Sequence, residues 1–191
     1  MSWVRKIIML KNTKTGWGTG ARAFHWSLGL IIIGMLAFGY WMNHFAARPD
    51  RFFYRQLHAD VGYLLLVLMV LRLVWRIFNP APALPQGTPL LERAAAHAVH
   101  AALYLLTFVV VFLGWAMSGA HKPHYDSWFV LFRVPQFGSE NPDAANTYEH
   151  RHILLAYVLL GFIVAHVLAA LFHHVVRRDR VLMRMVDGKP G

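Results

Sequence analysis

The chain has 191 residues, of which 57% are hydrophobic and only 15% are charged, with a formal net charge of +10. It contains no cysteine, which excludes disulfides, iron–sulfur clusters, covalently attached c-type haem and thiolate zinc sites. Any metal must therefore be bound by nitrogen or oxygen, and twelve histidines are available.

Four apolar stretches are long enough to cross a bilayer, for which about 20 residues are needed. They lie near residues 24–43, 57–78, 97–119 and 152–176. Each is apolar nearly all round rather than along one stripe, which argues against a soluble bundle. The first lacks the small-residue cleavage site of a signal peptide, so we expect it to be retained. The pattern predicts an all-α membrane protein, with one domain over residues 1–191 folded as an antiparallel bundle of four transmembrane helices.

Positive charge is concentrated near the chain ends and in the second connection, which favours lipid contact and topology over nucleic-acid binding. The side of a membrane protein that is richer in Lys and Arg is the cytoplasmic one, so both termini are expected in the cytoplasm. The inner group is Arg5, Lys6, Lys11, Lys14, Arg22, Arg76, Arg93, Arg177, Arg178, Arg180, Arg184 and Lys189, and the outer group is Arg48, Arg51, Arg55, Lys122, Arg133 and Arg151.

The third connection, from about residue 120 to 151, is the longest. Its middle, residues 128–132, is apolar and aromatic but too short to span a bilayer. Aromatic side chains collect where the membrane meets water. We therefore expect this segment to lie at the outer interface of the membrane.

His152 and His166 lie fourteen residues apart on the fourth apolar stretch, which is about 3.9 helical turns and roughly 21 Å of rise. They project from nearly the same face at two depths. Because the helices alternate in direction, His25 is expected level with His166, and His58 level with His152. A polar group inside a membrane needs a partner, and metal sites in bundles join facing helices. The spacing predicts two haem b groups, an inner one bound by His25 and His166 and an outer one bound by His58 and His152. The alternative is that these histidines have only a structural role, at the membrane interface or in hydrogen bonds.

Other histidines leave alternatives open. His150 could replace His152, but it lies about 160° round the helix from His166. His173 could be a ligand if the register of the bundle were shifted, and otherwise suits the headgroup of a quinone. The remaining candidates are expected near the inner haem or a quinone (His97 and His100), at the interface (His44), or in solvent (His121 and His124).

Arg72 follows His58 by the same fourteen residues on a helix that runs in the same direction as the fourth. It is expected to face the bundle at the inner level, where it could pair with a haem propionate. The alternative is snorkelling to the headgroups, which we expect of Arg76. Gly62 and Gly114 are small residues that let a flat macrocycle or a neighbouring helix approach closely.

Several short motifs stand at the ends of the spans: Ala23-Phe24-His25-Trp26, Leu57-His58 with Gly62, Leu71-Arg72 with Trp75-Arg76, Ala165-His166, His173-His174, Arg178-Asp179 and Leu182-Met183-Arg184-Met185. Over roughly residues 18–185 the chain resembles the bacterial cytochrome b-561 family. The resemblance implies a four-helix dihaem protein of the inner membrane with its ligands at the same four histidines. Two positions depart from the family, Ile153 where glutamate is frequent and Val111 where proline is frequent.

The resemblance also implies electron exchange between the quinone pool and a partner at the outer face, including oxidation of superoxide to oxygen with reduction of ubiquinone. Basic outer residues could attract an anion, although nearby acidic residues oppose this; they are Arg51, Arg55, Lys122 and Arg151. One alternative is a cytochrome b anchor subunit of a periplasmic dehydrogenase or hydrogenase, which the short outer connections disfavour. The other is a haem-free transporter or metal-binding membrane protein.

Overall fold

Helices make up most of the chain. The computed structural model describes residues 10–47, 49–84 and 87–189, so the predicted charges at Arg5, Lys6 and Arg48 lie outside the described residues. In chain order the elements are α1 (Thr19–His44), α2 (Arg51–Phe78), α3 (Leu90–Ala120), β1 (Ser127–Trp128), β2 (Phe132–Arg133), α4 (Pro142–Phe172), a π-helical turn (His173–Arg177) and α5 (Val181–Val186).

Four of these helices are long and apolar enough to cross a membrane, namely α1, α2, α3, and α4 together with its π-helical turn. This confirms the predicted four-helix membrane fold. The helices are longer than predicted, since α3 begins at Leu90 rather than near 97 and α4 at Pro142 rather than near 152. Hydropathy marks only the part of a helix inside the apolar core, about 30 Å thick, whereas 31 residues extend about 46 Å.

The early start of α4 has a local cause. Asn141 precedes the helix in extended conformation, and its side chain accepts a hydrogen bond from the Ala144 backbone N–H at 3.0 Å. Pro142 occupies the first turn, where backbone N–H groups have no acceptor within the helix, so the missing N–H of proline costs no hydrogen bond. This cap begins the helix in polar sequence outside the apolar stretch.

The four long helices form two hairpins. Helix α1 packs on α2 and helix α3 on α4, while α2 and α3 contact each other less extensively. A small core of Leu28, Leu65 and Met69 lies between α1 and α2, with side chains of α3 packed against it. Large apolar side chains elsewhere remain exposed, for example Leu30 at 69% and Leu105 at 64%, because the surrounding solvent of these spans is lipid.

We call the end of the bundle that holds both described chain ends the inner end, and the opposite end the outer end. The connection between α3 and α4 folds back along the outer half of α2. It contains the antiparallel hairpin β1–β2, a local exception to the predicted all-α pattern. The Trp128 indole donates to the Asp60 carbonyl at 3.1 Å, and the Tyr63 hydroxyl donates to the Tyr125 carbonyl at 3.0 Å. Because Asp60 is nine residues into α2, about 13 Å from its outer end, the hairpin is held beside the helix rather than above it.

The inner end of the bundle, where both described ends of the chain lie, is closed by α5. Arg184 of α5 is 6% exposed and donates to the Ala83 carbonyl at 3.0 Å. The Trp26 indole donates to the Met185 carbonyl at 3.0 Å, and the Arg22 guanidinium donates to the Val186 carbonyl. Burial lowers the pKa of Arg184 from its usual value. We call α5 and its contacts on α1 and on the loop after α2 the inner cap.

Candidate functional site

Two histidines of different helices face each other near the inner end. His25 is in the second turn of α1, and His166 is in the inner half of α4. Their ring centroids are 6.0 Å apart, with the planes at 66°. His100 of α3 lies at the same level, and its ring centroid is 5.2 Å from that of His166. The structure thus brings the predicted inner pair together, with a third imidazole beside it.

A second pair lies toward the outer end. His58 of α2 and His152 of α4 have ring centroids 6.1 Å apart, with the planes at 79°. Phe38 of α1 stacks on the His58 ring with centroids 6.1 Å apart. Since α4 contributes one histidine to each pair, the two levels are separated by the rise of fourteen residues, about 21 Å.

The spacing within each pair suits two imidazoles on opposite sides of one metal ion. A metal–imidazole bond is about 2 Å long and the nitrogen is about 1.1 Å from its ring centre, so two such rings have centroids about 6 Å apart. Two opposed nitrogens leave the equatorial positions of a metal to other ligands. Among the described residues no group of three histidine or acidic side chains is placed to hold a bare ion. A macrocycle that brings its own equatorial nitrogens fits the donor set.

Glycines make room for the two outer imidazoles. A Cβ at Gly39 of α1 would lie 3.2 Å from His58 Cε1, and one at Gly114 of α3 would lie 3.2 Å from His152 Cε1. Gly114 is a predicted residue, whereas Gly39 was missed. At Gly62 the nearest atom to a Cβ would be Met35 Cε at 4.0 Å, so this glycine is not at a close helix contact.

The Nδ1 atoms of the outer pair differ in their partners. His152 Nδ1 lies 2.8 Å from the Val110 carbonyl oxygen of α3. A carbonyl only accepts, so Nδ1 carries the proton and Nε2 keeps the lone pair that binds a metal. His58 Nδ1 is buried and has no hydrogen-bond partner among the described residues. Both rings are therefore compatible with metal ligation, and of the two Nδ1 atoms only that of His152 has a hydrogen bond that holds its ring in place.

Comparison with known proteins identifies the family. The sequence profile of prokaryotic cytochrome b561 matches residues 16–188. The chain belongs to the prokaryotic cytochrome b561 family. It is similar to cytochrome b561 homolog 2 of Escherichia coli (strain K12), with 36% identity over 179 residues, 92% of this chain and 93% of that protein. It is also similar to the probable superoxide oxidase CybB of Yersinia pestis, with 31% identity over 169 residues, 87% of this chain and 93% of that protein.

Family membership has direct consequences for the chain. Members of the cytochrome b561 family bind haem b iron and carry out electron transfer in membranes. Cytochrome b561 homolog 1 of Escherichia coli (strain K12) is a further relative, with 30% identity over 133 residues, 69% of this chain and 74% of that protein. The chain is thus a multi-pass membrane protein of electron transport, in agreement with its four apolar helices.

In this member of the cytochrome b561 family, two arginines of α2 both contact the ring of one tyrosine at the inner level. The Arg72 guanidinium lies over the Tyr104 ring, with Cζ 5.1 Å from the centroid, and Arg76 Cζ is 6.0 Å from it. Arg72 is also close enough to His25 and His166 to interact with them electrostatically. Arg72 therefore faces the bundle at the predicted depth, and its contact with a propionate stays a prediction.

The remaining histidines of this cytochrome b561 chain lie apart from the two pairs or at their edges. His173 begins the π-helical turn, and its Nδ1 is 2.6 Å from Asp179 Oδ2. His150 is exposed and turns back to the Asn146 carbonyl. The expectation that His124 is solvated is wrong, since it is half-buried and donates to the Ser118 carbonyl at 3.0 Å.

The outer charges of the cytochrome are largely paired. Three cations contact carboxylates: Arg55 with Glu149 at 3.2 Å, Lys122 with Glu140 at 2.6 Å and Arg133 with Asp126 at 3.5 Å. Within the described ranges, Arg51 and Arg151 contact no carboxylate, and Arg51 instead donates to the Ala46 and Asn43 carbonyls. The predicted attraction for an anion is thus left mainly to Arg51 and Arg151.

Proposed function

We propose that this cytochrome b561 binds two b haems and transfers electrons between a small donor at the outer face and the quinone pool. The inner haem would be bound by His25 and His166 and the outer one by His58 and His152. The observation that carries the proposal is the presence of two histidine pairs, with centroids 6.0 Å and 6.1 Å apart, at two levels of one bundle. The chain would act as a single membrane domain of the bacterial inner membrane, with both termini cytoplasmic.

The protein's contribution is to fix two ligand pairs at a set separation. Haem b, when bound, supplies a one-electron carrier whose potential depends on its axial ligands and surroundings. Two imidazoles on one iron leave no open position, which suits electron transfer and disfavours oxygen binding. The levels are about 21 Å apart along α4 and so cover most of the apolar core, about 30 Å thick.

We place the ubiquinone site at the inner end. His100 lies beside His166, and His173 begins the turn after α4, where its Nδ1 donates to Asp179 Oδ2 over 2.6 Å. Reduction of a quinone to a quinol consumes two protons, and a hydrogen-bonded histidine–carboxylate pair can deliver a proton from the cytoplasmic side. His173 and His100 are thus the residues we propose beside the quinone headgroup.

Superoxide is the donor we propose at the outer face, on the ground that one relative is called a probable superoxide oxidase. Two superoxide anions would give up one electron each, forming two molecules of oxygen, while ubiquinone takes up both electrons and two protons. The half-buried Arg51 begins α2, and the exposed Arg151 precedes His152 in the outer part of α4; both would favour the approach of a small anion.

The haem content is tested first. The purified protein should give the reduced-minus-oxidised spectrum of haem b and a pyridine haemochrome yield of two haems per chain. One haem per chain would contradict the two-level arrangement.

The donor is tested by mixing the oxidised protein with superoxide in a stopped-flow instrument. Haem reduction should be faster than spontaneous dismutation of superoxide. If it is not, superoxide is not the donor, and the role of an anchor subunit for a periplasmic redox partner becomes the better explanation.

A further inference from the structure

Gly114 of α3 lies directly beside the imidazole ring of His152. We propose that Gly114 is a positioning residue whose missing side chain lets His152 Nδ1 hydrogen-bond the Val110 carbonyl. This hydrogen bond lowers the reduction potential of the outer site. The inference rests on the proposed ligation of iron by His152.

The local geometry of α3 explains why a glycine is needed. Val110 and Gly114 are four residues apart, so the Val110 carbonyl is the acceptor of the Gly114 backbone N–H in the helix. A carbonyl oxygen has two lone pairs, and His152 Nδ1 uses the second at 2.8 Å. A Cβ at Gly114 would lie 3.2 Å from His152 Cε1 and 3.3 Å from Nδ1. Both distances are shorter than ordinary van der Waals contacts, so a side chain at this position would push the ring by a few tenths of an ångström and weaken its hydrogen bond to the carbonyl.

The hydrogen bond has a chemical consequence for the metal-binding nitrogen. Donation from Nδ1–H to a carbonyl fixes the tautomer that leaves Nε2 free, and it raises the basicity of Nε2. A more basic ligand stabilises the oxidised metal more than the reduced one, so the potential falls. Loss of the bond should raise the potential and weaken the affinity for haem by about 10- to 100-fold.

The chain provides a matched control at Gly39 of α1. A Cβ there would lie 3.2 Å from His58 Cε1, the same distance as at Gly114, but 3.8 Å from Nδ1. His58 Nδ1 has no hydrogen-bond partner among the described residues. Gly39→Ala therefore crowds the opposite ring of the same pair without the loss of a hydrogen bond.

The experiment compares wild type, Gly114→Ala and Gly39→Ala as purified, haem-loaded full chains. Potentiometric titration followed in the visible spectrum should resolve the haem transitions. Gly114→Ala should shift one transition to a higher potential, and by clearly more than Gly39→Ala shifts it. Equal shifts in the two variants would show that crowding of a ligand ring, and not the hydrogen bond, changes the potential. No shift in Gly114→Ala would show that the hydrogen bond does not affect the potential. Either result would overturn the inference.

A measurement on the wild type tests the inference if Gly114→Ala does not accumulate. Pulsed EPR with hydrogen–deuterium exchange can follow the imidazole protons of the ferric haems. After exchange into D2O, the deuterium quadrupole coupling should be smaller at Nδ1 of His152, which is hydrogen-bonded to Val110, than at Nδ1 of His58, which has no partner among the described residues; equal couplings would contradict the hydrogen bond to Val110. Failure of the proposed ligation is recognised separately, since His152→Ala would then keep both haems.

Discussion

The guanidinium of Arg72 lies over the ring of Tyr104, with Cζ 5.1 Å from the ring centroid. This contact joins α2 to α3 at the level of His25 and His166, and it holds a cation inside the bundle. Arginine is suited to the position because its planar group stacks on an aromatic face and remains charged. Tyr104 therefore keeps the positive charge turned toward the inner histidine pair and away from the headgroups.

Removal of this charge should lower the potential of the proposed inner haem. A nearby cation favours the state with one more electron, and its loss in Arg72→Gln should cost roughly 1 kcal/mol, or about 40 mV for one electron. Arg72→Lys, which keeps the charge but loses the stacking, should show a smaller shift. Redox titration of the three proteins measures the effect, and identical potentials would show that Arg72 is not near the haem.

Loss of a proposed ligand should remove one haem. His166→Ala should lose the inner haem and His152→Ala the outer one, so that the pyridine haemochrome yield falls from two haems per chain to one. His150→Ala is a matched control, since His150 is two residues from His152 but exposed and bonded to its own helix. If His100→Ala loses the inner haem as well, His100 rather than His25 would need to be considered as the partner of His166.

The tip of the β1–β2 hairpin should lie within the outer interface of the membrane. Phe129 and Val130 have φ angles of 41° and 64°, a conformation that bulky residues rarely adopt, yet Val130 is 91% exposed. Apolar side chains at such a turn are favoured if lipid surrounds them. Because the chain has no cysteine, Val130→Cys can carry a single spin label. In liposomes the label should be accessible to oxygen more than to a water-soluble nickel reagent.

The exposed Ser139, labelled in the same way as Ser139→Cys, is the control for the hairpin. Its label should show the opposite accessibility, because it lies in the polar part of the connection. Equal accessibility of the nickel reagent at both positions would place the hairpin tip in water.

The inner cap should loosen in acid. The backbone N–H of Lys189 and the guanidinium of Arg180 hold the pKa of Asp187 below its usual value of 3.8. The stabilisation is complete above that value and is lost as the pH falls through the lower pKa of the folded state. The protection of residues 181–189 against hydrogen exchange, expressed relative to the intrinsic amide rate at each pH, should therefore be weaker at low pH than at pH 6. In Asp187→Asn this pH dependence should disappear.

The helices and the histidine levels were accessible from the sequence because hydropathy and a fixed helical rise determine them. The β1–β2 hairpin was not, since its turn contains Phe129 and Val130 where glycine or asparagine is usual. The Asn141-Pro142 cap indicates where α4 begins, but a hydropathy scale does not detect such a cap.

Gly39 also had a signal. It follows His25 by fourteen residues, the spacing that separates His58 from Arg72 and His152 from His166, so it could be assigned to the outer level. His100 and Gly114 have the same spacing on α3. Gly114 was predicted only as a small residue that allows a close approach, and Gly39 was missed, because a residue without a side chain does not indicate which ring it accommodates.

Helix α4 alone contributes a histidine to both pairs, while α1 and α2 contribute one each. A displacement of α1 or α2 would alter one histidine pair. Sliding or rotation of α4 would instead alter both pairs together. The stiffness of this one helix therefore couples the two proposed haem sites mechanically, so that a lipid or partner that presses on α4 would change both of them at once.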